Sequence, residues 1–245
     1  DNASGVAVML YLADKLLEGN TNNNYLFIAF SGEEMGLLGS NYFVKNPTID
    51  LKKVNYMINM DMVGRLKKNK VLAIYGTGTS PIWQETIEEA NSNHTFDFKL
   101  NTSGVGPSDH TSFYLQDIPV LHLFTGQHVD YHKPSDDLEK LNYEGMLQIS
   151  NFIYRVVSEA DSNGKLEFTK TVNESDDLPR FKVSLGVVPD YLFDGKGLRL
   201  DGISENRPAQ KAGLQKGDVV VQLGEYEVKE IKSYMKALSK FESGD

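Results

Sequence analysis

Two glutamates, Glu33 and Glu34, stand side by side between glycines in "FIAFSGEEMGLLGS", where an apolar run stops. Adjacent carboxylates repel and raise one another's pKa unless something positive lies beside them. One explanation is a solvated turn, since acidic side chains are mostly exposed. The other is a metal site in which one carboxylate binds the ion and its neighbour handles a proton. Asp61 ends the apolar stretch "VNYMINMD", where a buried carboxylate needs a partner. His132 lies in "TGQHVDYHKPSDD", after the run "IPVLHLF", and Asp1 directly precedes a helix start. Taken singly, Asp1 can be a helix-capping acid and His132 a loop histidine bonded to backbone. Together, Asp1, Glu34, Asp61 and His132 supply the oxygen and nitrogen ligands that zinc accepts. Two zinc ions about 3.5 Å apart can share a bridging carboxylate and hold a hydroxide between them. Glu33 is left over as a general base.

The elements that must position these residues follow from periodicity. Apolar positions at helical spacing predict a helix over 4–17, and "NYLFIAF" (24–30) has the composition of a strand buried on both faces. "GLLGSNYFVKN" is helical, 54–64 and 70–76 are strands, and Ser80 with Pro81 opens another helix. Residues 118–126 form a further buried strand, and a long amphipathic helix runs to about residue 159. Alternating strands and helices predict an α/β sandwich around a mostly parallel central sheet. In such sheets ligands bind just beyond the carboxyl ends of the strands, where Glu33, Glu34, Asp61 and His132 fall.

The chain has 245 residues, a net charge of −9, 40% hydrophobic residues and no cysteine. The acidic balance without a basic stripe argues against nucleic acid as a partner. No apolar run approaches the length of a membrane span, and disulfides and thiolate metal sites are excluded. Composition divides the chain into an α/β domain (1–160), which carries the candidate metal ligands, a polar linker (161–180) and a small glycine-rich, β-rich module (181–245).

The motifs "DNASG", "FSGEEMGLLGS", "NMDMVGR", "GPSDHTSFY" and "TGQHVDYHKPSDD", in this order over residues 1–158, resemble those of the co-catalytic di-zinc aminopeptidases. Glutamate carboxypeptidase and glutaminyl cyclase are relatives of that family. The resemblance implies a three-layer zinc-exopeptidase fold and removal of N-terminal amino acids from peptides through a metal-bridging hydroxide. Carboxypeptidase or cyclase activity on the same scaffold, or a scaffold protein without catalysis, are the rival readings. By resemblance Asp1 bridges two zinc ions, with a cis peptide bond after it. Glu34 and His132 complete one zinc site, Asp61 belongs to the other, and Glu33 is the base. Tyr131 polarises the scissile carbonyl or packs beside the ligand loop. Asp109 and His110 line the substrate pocket, with helix capping by Ser108 or Asp109 as the competing account. His94, His122 and His128 take surface, strand and loop roles. The second zinc also needs a histidine from a His-x-Asp motif upstream of Asp1, so the sequence is expected to be a piece of a longer protein. A periplasmic, envelope or secreted location is implied by the resemblance alone.

"VSLGVVPDY" followed by "GLRLDGISENRPAQKAGLQKGDVVVQLGEYEV" resembles a PDZ domain, with a closing strand expected beyond the last residue. Such domains capture a peptide C-terminus as an added strand, its carboxylate held by the amides of a glycine-containing loop. Ser184, Leu185, Gly186 and Val187 would be that loop. Ile231, Tyr234, Met235 and Leu238 would wall the groove or pack the module's core.

Overall fold

The computed structural model describes residues 2–19, 23–171, 183–190, 193, 195–203, 206–242 and 244. Asp1, with the peptide bond that follows it, and the linker residues 172–180 lie outside them. The chain divides into two compact units, Asp1–Thr125 with Asp137–Asn173, and Gly126–Asp136 with Glu174–Asp245. No helix among the described residues is long and apolar enough to cross a membrane.

The first unit is α/β. Its helices are α1 (Ala3–Glu18), α2 (Leu38–Lys45), α3 (Trp83–Ala90), α4 (His110–Tyr114) and α5 (Tyr143–Asp161). Its strands are β1 (Met57–Met60), β2 (Val71–Tyr75), β3 (Asp97–Asn101) and β4 (Val120–Phe124), in the spatial order β1-β4-β2-β3. The sheet is mixed rather than mostly parallel: β1 with β4 and β2 with β3 run parallel, while β2 meets β4 antiparallel. A parallel neighbour needs a crossover, and composition does not say on which side of a strand that crossover lands.

Strand alternation distributes the side chains between two cores. Leu72, Ile74, Leu121 and Leu123 join Val8 and Leu12 of α1, Trp83 and Ile87 of α3, and Ile149, Phe152 and Ile153 of α5. Val120 joins Val44 of α2 and Phe113 and Tyr114 of α4 in the second core, against which Met57, Phe30 and Phe43 pack.

The expected strand over 24–30 is not formed. These residues take no ladder position, and Leu26 and Phe27 are exposed. A run apolar on both faces becomes a strand only when a neighbour completes its hydrogen bonds, and no described residue pairs with it. The helix α5 continues to Asp161, and the residues that composition assigned to a linker begin by strapping the first unit. Asn55 clamps that strap, its side chain donating to the Gly164 carbonyl (2.7 Å) and accepting from the Leu166 amide (2.7 Å). Further along, Thr171 grips the Tyr114 hydroxyl through its amide (2.9 Å).

In the second unit, β5 (Val187–Pro189), β6 (Leu198–Ile203) and β7 (Val219–Val220) form an antiparallel sheet, and β8 (Gln222–Leu223) pairs with β9 (Tyr226–Glu227). The short helix α6 (Pro208–Lys211) begins with proline at its first position, where the missing N–H is harmless. In α7 (Ile231–Leu238), Tyr234 and Leu238 are buried in the core with Leu198, Leu200 and Val228, while Ile231 and Met235 pack against it half-buried.

Candidate metal centre

Asp61 is the first residue beyond β1, its amide still donating to the Leu123 carbonyl of β4 (3.2 Å). Alternation therefore sends Asp61 to the same face as Met57 and Asn59, opposite Ile58 and Met60. In β4 the same face carries Val120, His122 and Phe124. The register sets Asn59 directly across from His122, and His122 across from Tyr75 of β2, whose ring centroid lies 5.5 Å from the imidazole. Asn59, His122 and Tyr75 thus form a line across this face, which Asn101 of β3, opposite Tyr75, extends.

The N-terminus of α4 lies over this line. His110 stacks on His122, with ring centroids 4.5 Å apart and an interplanar angle of 6°. Both rings are buried, and burial holds both neutral. It lowers His122 to about 3, and it sets His110 well below the usual histidine range with His122 as a second cause. Neither nitrogen of His110 has a hydrogen-bond partner among the described residues. Gly106 is pressed against it; a Cβ there would lie 2.8 Å from His110 Nε2.

Ser108, two residues before His110, completes a chain that ends at Asp61. The Asn59 side-chain nitrogen lies 3.0 Å from His122 Nδ1 and donates to Ser108 Oγ (2.8 Å). Ser108 Oγ donates in turn to Asp61 Oδ2 (3.2 Å). The backbone next to Asp61 is unusual as well: Met62 has φ 53°, a left-handed value that non-glycine residues seldom adopt. Thr125 holds it there, donating from its amide to the Met62 carbonyl (3.3 Å). The start of α1 meets the same end of β1, since a Cβ on Gly5 would lie 2.6 Å from the Met60 carbonyl oxygen.

Asp109 occupies the cap position of α4 but makes no capping hydrogen bond. It is buried, which raises its carboxyl pKa, and a hydrogen bond to Ser40 of α2 opposes that shift. Ser40 also pairs with Ser112 (2.8 Å), so a polar contact joins α2 and α4 beside the apolar packing of Val44 and Phe43 on Phe113. A cavity of about 510 Å³ in this unit lies at the opposite end of the strands. Leu51, Val54, Ile118, Pro119 and Phe168 line it, and neither Asp109 nor His110 does.

Glu33 and Glu34 form a 3-10 turn, Glu33–Met35, bracketed by Gly32 (φ 70°) and Gly36 (φ 101°) and followed by Leu37 at φ 59°. Left-handed residues on both sides reverse the chain within a few positions, and glycine supplies them without a Cβ clash. Glu33 is half-buried and Glu34 exposed. Tyr131 and His132 lie on the loop Gly126–Asp136, which groups with the second unit. Their rings stack at 3.8 Å, and His132 itself has φ 54°. In the same loop Ser135 donates to Asp130 (2.8 Å), and His128 lies 3.9 Å from Asp136. Two left-handed residues, Met62 and His132, lie beside or at an expected metal-binding residue.

Carboxylate oxygens with an imidazole are the donor set that zinc takes, so these residue types fit the metal in kind. Among the described residues no group of three or more His, Asp or Glu side chains converges on one point. Sequence reasoning missed Asn59 altogether and gave His122 only a strand role. The available signal was that both interrupt apolar runs, in "MINMD" and "VLHLF", and that Asn59 is in phase with Asp61.

Residues 1–157 match the model of peptidase family M28, and the chain belongs to that family. It is 32% identical to Aminopeptidase YwaD of Bacillus subtilis over 169 residues, covering 65% of this chain and 37% of YwaD. It is 29% identical to the probable leucine aminopeptidase 2 of Aspergillus oryzae, covering 60% of this chain and 35% of that one. The chain thus spans about a third of the length of these curated relatives. Among solved structures it is similar to BSAP, a zinc aminopeptidase from Bacillus subtilis, with a TM-score of 0.57 and 29% identity over 68% of this chain and 42% of that one. A Bacteroides thetaiotaomicron glutaminyl cyclase shares the fold alone, at 19% identity and a TM-score of 0.51 over 64% of this chain and 61% of that one.

Proposed function

We propose that the chain is the part of a zinc-dependent exopeptidase that removes N-terminal amino acids from peptides. The observation that carries this reading is Asp61, a carboxylate held by a buried serine just beyond the carboxyl end of β1, in a chain of peptidase family M28 that is similar to Aminopeptidase YwaD. Asp1, Glu34, Asp61 and His132 would hold zinc, two ions in the intact protein. Zinc, when bound, polarises the scissile carbonyl and lowers the pKa of a water molecule. Glu33, the half-buried member of its pair, takes a proton from the attacking water. As the carbonyl carbon bonds to the water oxygen and the C–N bond breaks, Glu33 passes that proton to the leaving amine. Tyr131 orients the carbonyl, and Asp109 and His110 support the substrate side of the site.

The second unit would serve as a PDZ-like accessory module that takes a peptide C-terminus at Leu185, Gly186 and Val187. Gly186 has φ 74°, its amide donates to Ser184 Oγ (3.2 Å), and Val187 opens an edge strand. Those features are what a loop leading into an added strand requires. A location outside the cytoplasm belongs to the same reading.

The test uses the intact protein with zinc and one peptide in two forms, free and N-acetylated, followed by mass spectrometry. Stepwise loss from the free form alone is expected. Trimming from the other end would replace this reading with a carboxypeptidase, loss of water from an N-terminal glutamine with a cyclase, and two untouched peptides with a scaffold.

A further inference from the structure

We infer that Asn59 and His122 are positioning residues that fix the direction of the hydrogen bond Ser108 gives to Asp61. The inference rests on the reading of Asp61 as a zinc ligand.

The directions follow from the donors available. A neutral imidazole has one N–H and one bare nitrogen, and an amide has two donor hydrogens on its nitrogen. The Asn59 nitrogen stands within hydrogen-bond distance of both His122 Nδ1 and Ser108 Oγ. It can give a hydrogen to each only if Nδ1 is the bare nitrogen of His122. Ser108 Oγ, already accepting from Asn59, then turns its own hydrogen to the Asp61 carboxylate. Turned over, the Asn59 amide would present its carbonyl to Ser108 and take that hydrogen. The serine lone pairs would then face Asp61, and a carboxylate beside lone pairs is repelled rather than held. His122 is 3% exposed and the stacked His110 is 0% exposed, so the imidazole end of the chain is shielded from bulk solvent.

An apolar pair would fill this position between two strands more cheaply than an amide and an imidazole. The polar pair lies directly across the register, and the chain it begins leads to one carboxylate at the sheet edge. Partners that orient ligating groups in this way commonly change metal affinity by about 10- to 100-fold when removed.

The experiment measures zinc affinity by chelator competition on the intact protein, with thermal unfolding of the zinc-free form in parallel. The variants are Asp61→Ala, Asn59→Leu, His122→Phe and His122→Gln. Asp61→Ala is expected to abolish binding at one site. Asn59→Leu and His122→Phe are expected to weaken that same site by about 10-fold or more. Glutamine keeps an acceptor opposite Asn59, so His122→Gln should return most of the affinity. Unchanged zinc binding in Asp61→Ala would overturn the ligand reading itself. Loss in Asp61→Ala with native affinity in both Asn59→Leu and His122→Phe would overturn this inference alone. Equal weakening in His122→Phe and His122→Gln would also overturn it, because packing rather than hydrogen-bond direction would be responsible. If either apolar variant does not fold, the comparison between His122→Gln and Asn59→Asp decides. Aspartate takes the Ser108 hydrogen and should weaken zinc where glutamine does not.

Discussion

The carboxylates of the candidate centre are held in two different ways. Asp61 lies just beyond β1 and is reached by a part-buried chain of side chains, Ser108, Asn59 and His122, roofed by the ring of His110. Glu33 and Glu34 sit on a 3-10 turn whose shape comes from left-handed backbone at Gly32, Gly36 and Leu37. Side-chain partners reach the first, and left-handed backbone shapes the turn that carries the second. A ligand that must not move is served by the first arrangement, and a base that must exchange a proton with water is served by the second.

The largest expected effect concerns the turn. Glu33→Gln keeps shape and volume but removes the proton acceptor, so turnover should fall about 10²- to 10⁴-fold with zinc content unchanged. Loss of zinc together with turnover would move Glu33 from base to ligand and erase the contrast between the two regions.

These two arrangements were not equally legible in the sequence. Glu33, Glu34 and Asp61 could be found because each acid interrupts or ends an apolar run. Asn59 and His122 acquire meaning only once the register sets them face to face, and register is not written in composition. The antiparallel pairing of β2 with β4 was hidden for the same reason. The strand β3 was not read because only Phe98 and Leu100 in it are apolar, between Asp97, Lys99 and Asn101, and α4 was met only as a possible helix start capped by Ser108 or Asp109. The run 24–30 was read from its own residues, but a strand also needs a neighbour, and none of the described residues is one. The grouping of Gly126–Asp136 with the second unit had no compositional marker.

Below both regions lies the core that carries them. Trp83 is fully buried, with its indole nitrogen donating to Thr79 Oγ1 (3.1 Å), and Thr79 in turn bonds the Val120 backbone at the start of β4. Trp83→Ala should destabilise the first unit by about 3–5 kcal/mol. A denaturant series that shows no shift would mean the strands are held independently of α3.

The buried imidazoles give the fold a pH signature of its own. His122 is held neutral with a pKa of about 3, and His110 is shifted in the same direction, so the folded state stays unprotonated where the unfolded chain takes up protons. Stability is therefore complete above the usual histidine pKa and falls as pH drops below it, by about 1.4 kcal/mol per pH unit for each ring. In zinc-free protein, His122→Gln should remove one ring's share of that slope between roughly pH 6 and pH 4. An unchanged slope would show that His122 is already charged in the fold.

Smaller effects are expected farther out. Thr171→Val removes the side-chain hydroxyl that shares the grip on Tyr114 (3.0 Å) and should cost about 1 kcal/mol. In the second unit Glu227 pairs with Lys196 (2.8 Å) at the surface, and Glu227→Gln should leave the unfolding midpoint where it is.

If Asp61 holds zinc, the chain Ser108–Asn59–His122 sets how firmly it does so. Chelator competition on the intact protein, comparing wild type with Asp61→Ala and Asn59→Leu, tests it most directly. One zinc site should be lost in the first variant and the same site weakened about 10-fold or more in the second. Zinc held equally well by all three proteins would contradict it.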